Sequence, residues 1–117
     1  MSPVPPKNNS ENESKVLRVE VVNGPMDGLV HFTTEGVMLI GRGPECDLSL
    51  DMDPDVAEKH ARLWLLNGLV WIEDLGSKAG TWIGSESLQG KLPVSAGVVF
   101  CAGNTLLEII ADDGSEV

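Results

Sequence analysis

Residues 17–21 read Leu-Arg-Val-Glu-Val, an apolar and polar alternation with a period of two. That pattern predicts a strand with one buried face. Turn formers then cut the chain into short β-branched pieces. Gly24, Pro25, Asp27 and Gly28 precede the apolar run 29–32, and Glu35-Gly36 precedes the run 37–40. Gly84-Ser85, Gln89-Gly90 and Ala96-Gly97 punctuate the second half, and residues 105–110 supply a closing strand. No 11-residue window keeps a 3.6-residue apolar period without a Gly or Pro, and no internal repeat is evident. Short strands at this spacing predict an all-β sandwich or barrel.

The sharpest local signal is Asn67-Gly68. A two-residue type I′ turn needs positive φ at both positions, which this pair tolerates, so a tight hairpin is expected. Its register sets Leu66 opposite Leu69, Trp64 opposite Trp71 and Arg62 opposite Glu73 on one side. Ala61, Leu63, Leu65, Val70, Ile72 and Asp74 fall on the other, whose aliphatic side chains belong to the core. The tryptophan pair then faces outward as a possible protein contact, unless a neighbouring strand or loop covers it.

A chain of 117 residues has room for one domain. Residues 1–15 hold too few apolar side chains to repay ordering and are expected as a disordered tail; 16–110 form the domain, and 111–117 an acidic tail. Only five aromatics are present, two Phe and three Trp, so the core must be mainly aliphatic. Eighteen acidic against eight basic residues give a net charge of −10, which repels nucleic acid and anionic membrane. With no apolar signal segment or membrane-spanning run, a cytoplasmic domain without membrane insertion is expected, monomeric in isolation. Cys46 and Cys101 lack CxxC spacing and read as buried thiols.

Enzymatic signals are weak. Gly41-Arg42-Gly43 is followed by Pro44, Glu45 and Asp47 where a phosphate-cradling helix would have to start. Asp51, Asp53 and Asp55, with His31 and His60, lack the Gly and bidentate Glu of a calcium loop and read as a solvated acidic loop. Neither a nucleophile elbow nor a cofactor or metal motif appears, so no enzyme is expected.

A different set of pieces stands in order: Gly41-Arg42 after an apolar strand, Asp47-Leu48, Val56-x-x-x-His60-Ala61, Asp74-Leu75-Gly76-Ser77, and Gly80-Thr81. Together they resemble the forkhead-associated (FHA) domain, over about residues 16–110. The resemblance implies a β-sandwich of two mainly antiparallel sheets, whose loops at one end bind phosphothreonine peptides. It gives Arg42 the phosphate-binding role, for which a guanidinium fork is well suited. It places Lys59, Ser77 and Lys78 beside it on the phosphopeptide. It makes His60 a loop brace, and Gly41, Gly76, Gly80 and Thr81 architectural positions.

Two positions depart from the family text. Ala57 stands where the family has a serine hydroxyl for the phosphate, and Ala79 where it has an asparagine for the peptide backbone. Together the two losses weaken binding by about two orders of magnitude. Six acids between Gly43 and Glu58 act in the same direction. The expected function is therefore a non-catalytic FHA-like interaction module with weakened or lost phosphothreonine recognition, serving signalling, regulation or secretion machinery through a protein or phosphoprotein partner. The alternative is a working phosphopeptide reader that relies on Arg42 and Lys78.

Overall fold

The computed structural model describes residues 16–112. Eleven strands run in the order β1 Val16–Val21, β2 Val30–Thr33, β3 Val37–Gly41, β4 Leu48–Ser49, β5 Ala61–Leu66, β6 Leu69–Asp74, β7 Thr81–Ile83, β8 Glu86–Ser87, β9 Lys91–Val94, β10 Val99–Ala102 and β11 Thr105–Asp112. The one helical piece among the described residues is a 3₁₀ turn at Gly24–Met26. β11 runs through Asp112, two residues past the expected end of the domain. The tail expected at 1–15 and the acidic residues 113–117 lie outside the described residues.

The strands make two sheets, one ordered β2-β1-β11-β10-β7-β8 and the other β4-β3-β5-β6-β9. Among the described residues every strand pairing is antiparallel except β3 with β4. The β-sandwich implied by the family resemblance is therefore present, one of the two architectures that strand spacing left open. Leu17, Val19 and Val21 alternate inward from β1, joined by Leu107 and Ile109 of β11. They meet Met38, Ile40, Leu63, Leu65, Val70 and Ile72 of the second sheet in one core. Phe100 is the single aromatic ring in that core. Stripping one of these aliphatic side chains to alanine costs about 2–5 kcal/mol, because the close-packed surroundings relax only partly.

The β5–β6 hairpin has the expected register, with Leu66 opposite Leu69, Trp64 opposite Trp71 and Arg62 opposite Glu73. Asn67 has φ 54° and Gly68 φ 80°, the left-handed pair that a type I′ turn needs. Of the two readings left open for the tryptophan pair, outward-facing or covered, the fold shows Trp64 covered. Trp64 is 0% exposed and Trp71 is half-buried. β3 and β9 flank the hairpin, so Val37, Trp64, Trp71 and Pro93 form one row across four strands. The two indole rings stack at 6.3 Å between centroids, while the Arg62 guanidinium lies 5.5 Å and the Lys91 ammonium 5.9 Å from the Trp64 ring centroid. Arg62 is held over the ring by a 2.6 Å ion pair with Glu73. Trp64 is thus a covered side chain of the outer face.

Candidate functional site

Three connections meet at one end of the sandwich: β3–β4, β4–β5 and β6–β7. Backbone bonds align the first two, with Arg42 N–H donating to Ala57 O at 2.9 Å and Gly43 N–H to Glu58 O at 3.0 Å. The approach is close enough to require glycine at position 41. A Cβ there would collide with the Glu58 carbonyl oxygen and lie 2.9 Å from Cys46 Sγ.

His60 joins the β4–β5 and β6–β7 connections. The imidazole is fully buried; its Nδ1 accepts from Ala57 N–H at 3.0 Å and its Nε2 lies 2.9 Å from Gly80 O. One nitrogen must accept and the other donate, so the ring is the neutral Nε2–H tautomer. Its own backbone bonds to Ile40 O and Leu75 N–H. Both ring nitrogens serve the loops, which leaves none for proton transfer.

Asp74 organises the third connection. Oδ2 accepts from Gly76 N–H and Ser77 N–H at 3.0 Å each; Oδ1 accepts from Ser77 Oγ at 2.5 Å and from buried Thr81 Oγ1 at 2.7 Å. Burial pushes this carboxyl up, but the hydrogen bonds from Ser77, Thr81 and Gly76 outweigh it and hold it below the usual aspartate range. Gly76 and Gly80 have φ of 81° and 84°, so glycine is the natural residue at both. Ser77 points into this framework, donating to Asp74 and accepting from Gly80 N–H at 3.0 Å. Its hydroxyl proton is therefore committed to the loop itself.

The remaining candidates surround these braces. Arg42 is exposed, and its guanidinium has no hydrogen-bond or ion-pair partner among the described residues. Its two acidic neighbours are engaged elsewhere: Asp47 Oδ2 accepts from Leu39 N–H at 2.8 Å, and Glu45 lies 3.9 Å from Lys59 Nζ. Lys78 is exposed beside Ala79, whose carbonyl accepts from Trp82 Nε1 at 3.0 Å. Ala57 follows the buried Val56 and abuts Arg42 through the backbone bond above. The fold thus brings Arg42, Ala57, Lys59, Lys78 and Ala79 to the same three loops, and turns Ser77 inward.

The acidic stretch is not a uniformly solvated loop. Asp53 is 5% exposed. Its carboxylate accepts from Thr105 Oγ1 at 2.6 Å, Asn104 N–H at 2.8 Å, Asp55 N–H at 3.0 Å and Asn104 Nδ2 at 3.2 Å. Burial raises this carboxyl, yet these donors outweigh it and keep it below the usual range. Nothing local in the Asp51, Asp53, Asp55 series distinguishes the middle residue; its partners lie about fifty positions away. Asp74 was more accessible to sequence reasoning, since Asp-x-Gly-Ser is an Asx-turn pattern. Cys46 and Cys101 are free and only half-buried, and burial pushes both thiols up, away from thiolate reactivity.

An arginine and two lysines exposed to solvent, above loops whose Asp53, Asp74, Ser77 and His60 are internally paired, can receive an anionic ligand. A family model described as the FHA domain matches residues 38–103. The chain belongs to the FHA-domain family. FHA domains are non-enzymatic protein-interaction modules. The FHA domain-containing protein FhaB of Mycobacterium tuberculosis is 30% identical over 89 residues, which are 76% of this chain and 57% of that protein. The chain therefore spans little more than half the length of that curated relative. The FHA domain of a Chlamydia trachomatis protein superposes with a TM-score of 0.74 at 26% identity, over 81% of this chain and 96% of that one. An FHA domain of an Arabidopsis thaliana protein superposes with a TM-score of 0.77 at 24% identity, over 94% and 98%, and shows the shared fold. Among the described residues no helix is long and apolar enough to cross a membrane.

Proposed function

We propose that this FHA domain is a non-catalytic protein-interaction module whose phosphothreonine recognition is weakened, within a signalling, regulatory or secretion-machinery protein. The observation that carries this reading is the contrast at the loops. Every brace is present and hydrogen-bonded, while the two positions that would grip the ligand are Ala57 and Ala79. A methyl group offers neither the hydroxyl that a phosphate needs nor the carboxamide that a peptide backbone needs. Arg42, Lys59 and Lys78 remain for the anion, and Ser77 supports the loop instead of the ligand.

A second reading is favoured by one feature, the unpaired and exposed Arg42 guanidinium. With Lys78 and loop amides it would support a working phosphopeptide reader. In either case the partner is a protein or phosphoprotein, because a net charge of −10 opposes nucleic acid. Two free thiols fit a cytoplasmic setting, and the same charge favours a monomer.

Calorimetric titration with phosphothreonine peptide libraries separates the two readings. Binding weaker than about 100 μM that tightens in the Ala57→Ser, Ala79→Asn double variant supports the weakened site. Low-micromolar binding to the unaltered chain supports the reader.

A further inference from the structure

The β4–β5 connection is fastened at two places. Its C-terminal end is tied by His60, as the family text implies. Its middle is tied by Asp53 to the turn between β10 and β11, on the other sheet. We infer that Asp53 is a positioning residue for the ligand loops: it clamps the connection that carries Ala57 and Lys59 to the β10–β11 turn. This rests on the reading that these loops form the ligand face.

Four donors converge on this carboxylate. Oδ2 takes Asn104 N–H and Thr105 Oγ1, and Oδ1 takes Asn104 Nδ2 and Asp55 N–H. Asn104 reaches further along the same loop, since its Nδ2 also donates to Asp55 Oδ2 at 2.8 Å. The turn itself is fitted to the loop. Gly103 has φ 63°, and a Cβ there would lie 2.8 Å from Val56 Cγ2 and 3.0 Å from Asp53 Oδ2. The turn is anchored in its own sheet by Asn23, whose Nδ2 donates to Asn104 O at 3.2 Å and whose Oδ1 accepts from Leu106 N–H at 2.8 Å.

The mechanical consequence follows from chain length. From Asp53 the chain needs four residues to reach Ala57 and seven to reach His60. Val56 N–H returns to Asp53 O at 3.2 Å, which closes this stretch into a compact turn. Ala57 O is the acceptor that aligns Arg42 N–H. Asp53 thus acts through two steps on the segment that sets the start of the Arg42 connection. Asn at position 53 is no substitute, because an NH2 group would face the Asn104 N–H donor.

The test compares Asp53→Ala and Asp53→Asn with Val19→Ala, a core truncation on β1 chosen to lower stability elsewhere. All are made both in the natural chain and in the Ala57→Ser, Ala79→Asn background. Amide exchange is followed at residues 54–59 and in β1, and phosphothreonine-peptide affinity in the background, at a temperature where every variant is folded. Clamp loss should raise exchange at 54–59, including the Ala57 amide, at least about tenfold while β1 stays protected, and weaken peptide binding by about tenfold. Val19→Ala should leave both readouts at the loop unchanged. Equal loop exchange in the Asp53 and Val19 variants, or unchanged affinity in the Asp53 variants, overturns the inference. If the background binds no phosphopeptide, the weakened-site reading fails by itself, and loop exchange in the natural chain still decides the role of Asp53. If both Asp53 variants fail to fold, Thr105→Val and Asn104→Ala remove single donors, and unchanged loop exchange in both overturns it equally.

Discussion

The β5–β6 hairpin and the connection that enters it are joined at His60, yet they are held in opposite ways. The hairpin closes on itself: a type I′ turn at Asn67-Gly68, a six-pair register and a Trp64–Trp71 stack, all within fourteen residues. The connection 50–60 has almost no ladder of its own. It is held by an aspartate, an imidazole and backbone bonds to parts of the chain 9 to 52 positions away. Short-range order makes the hairpin cheap to form, whereas the connection must wait until both sheets are in place. A loop built in the second way takes its shape from the whole fold.

Truncating the imidazole that joins the two regions should have the largest effect. His60→Ala leaves the part-buried Ala57 N–H and Gly80 O without their partner, a loss of about 2–4 kcal/mol. Thermal melting should show that loss with no turnover to lose; a change in a chemical rate at constant melting temperature would contradict the bracing role.

Acid separates the regions by chemistry. Asp53 and Asp74 are held below their usual range, so the stability they contribute is complete above the unfolded value of about 4 and is lost as pH falls through the lower folded values. Melting temperature should therefore drop on acidification below about pH 4, with a shallower slope in Asp53→Ala. Equal slopes would mean that Asp53 is not ionised in its clamp.

The hairpin has a local counterpart. Asn67→Ala forces a Cβ-bearing residue without a polar side chain into φ 54°, at a cost of about 1 kcal/mol. Urea unfolding measures the cost, and exchange at residues 54–59 should stay as in the natural chain. Arg42→Ala should be smallest, within about 0.5 kcal/mol, because its guanidinium stands in solvent. A large destabilisation there would make Arg42 a structural residue.

The hairpin was legible because its information is local: the alternation of 61–66 and 69–74 and the one turn pair between them dictate register and facing. Strand spacing gave an all-β sandwich or barrel, and Gly41-Arg42, Val56, His60 and Asp74-x-Gly-Ser, through their likeness to a family text, chose the sandwich and marked the loop frame. Local pattern therefore sets the strand faces and the main turn, and the likeness to a family text puts Ala57 and Ala79 at the positions proposed to face a ligand. Which polar groups serve as braces came from the three-dimensional contacts. Ser77 reads like a phosphate contact until Asp74 and Gly80 take its hydroxyl, and Asp53 reads like one of several solvated acids until Asn104 and Thr105 arrive from the other sheet. Trp64 reads equally as exposed or as covered until β3 and β9 flank the hairpin. The physical reason is common to all three: burial and hydrogen-bond satisfaction depend on neighbours distant in the chain, and no local pattern encodes which neighbours those will be.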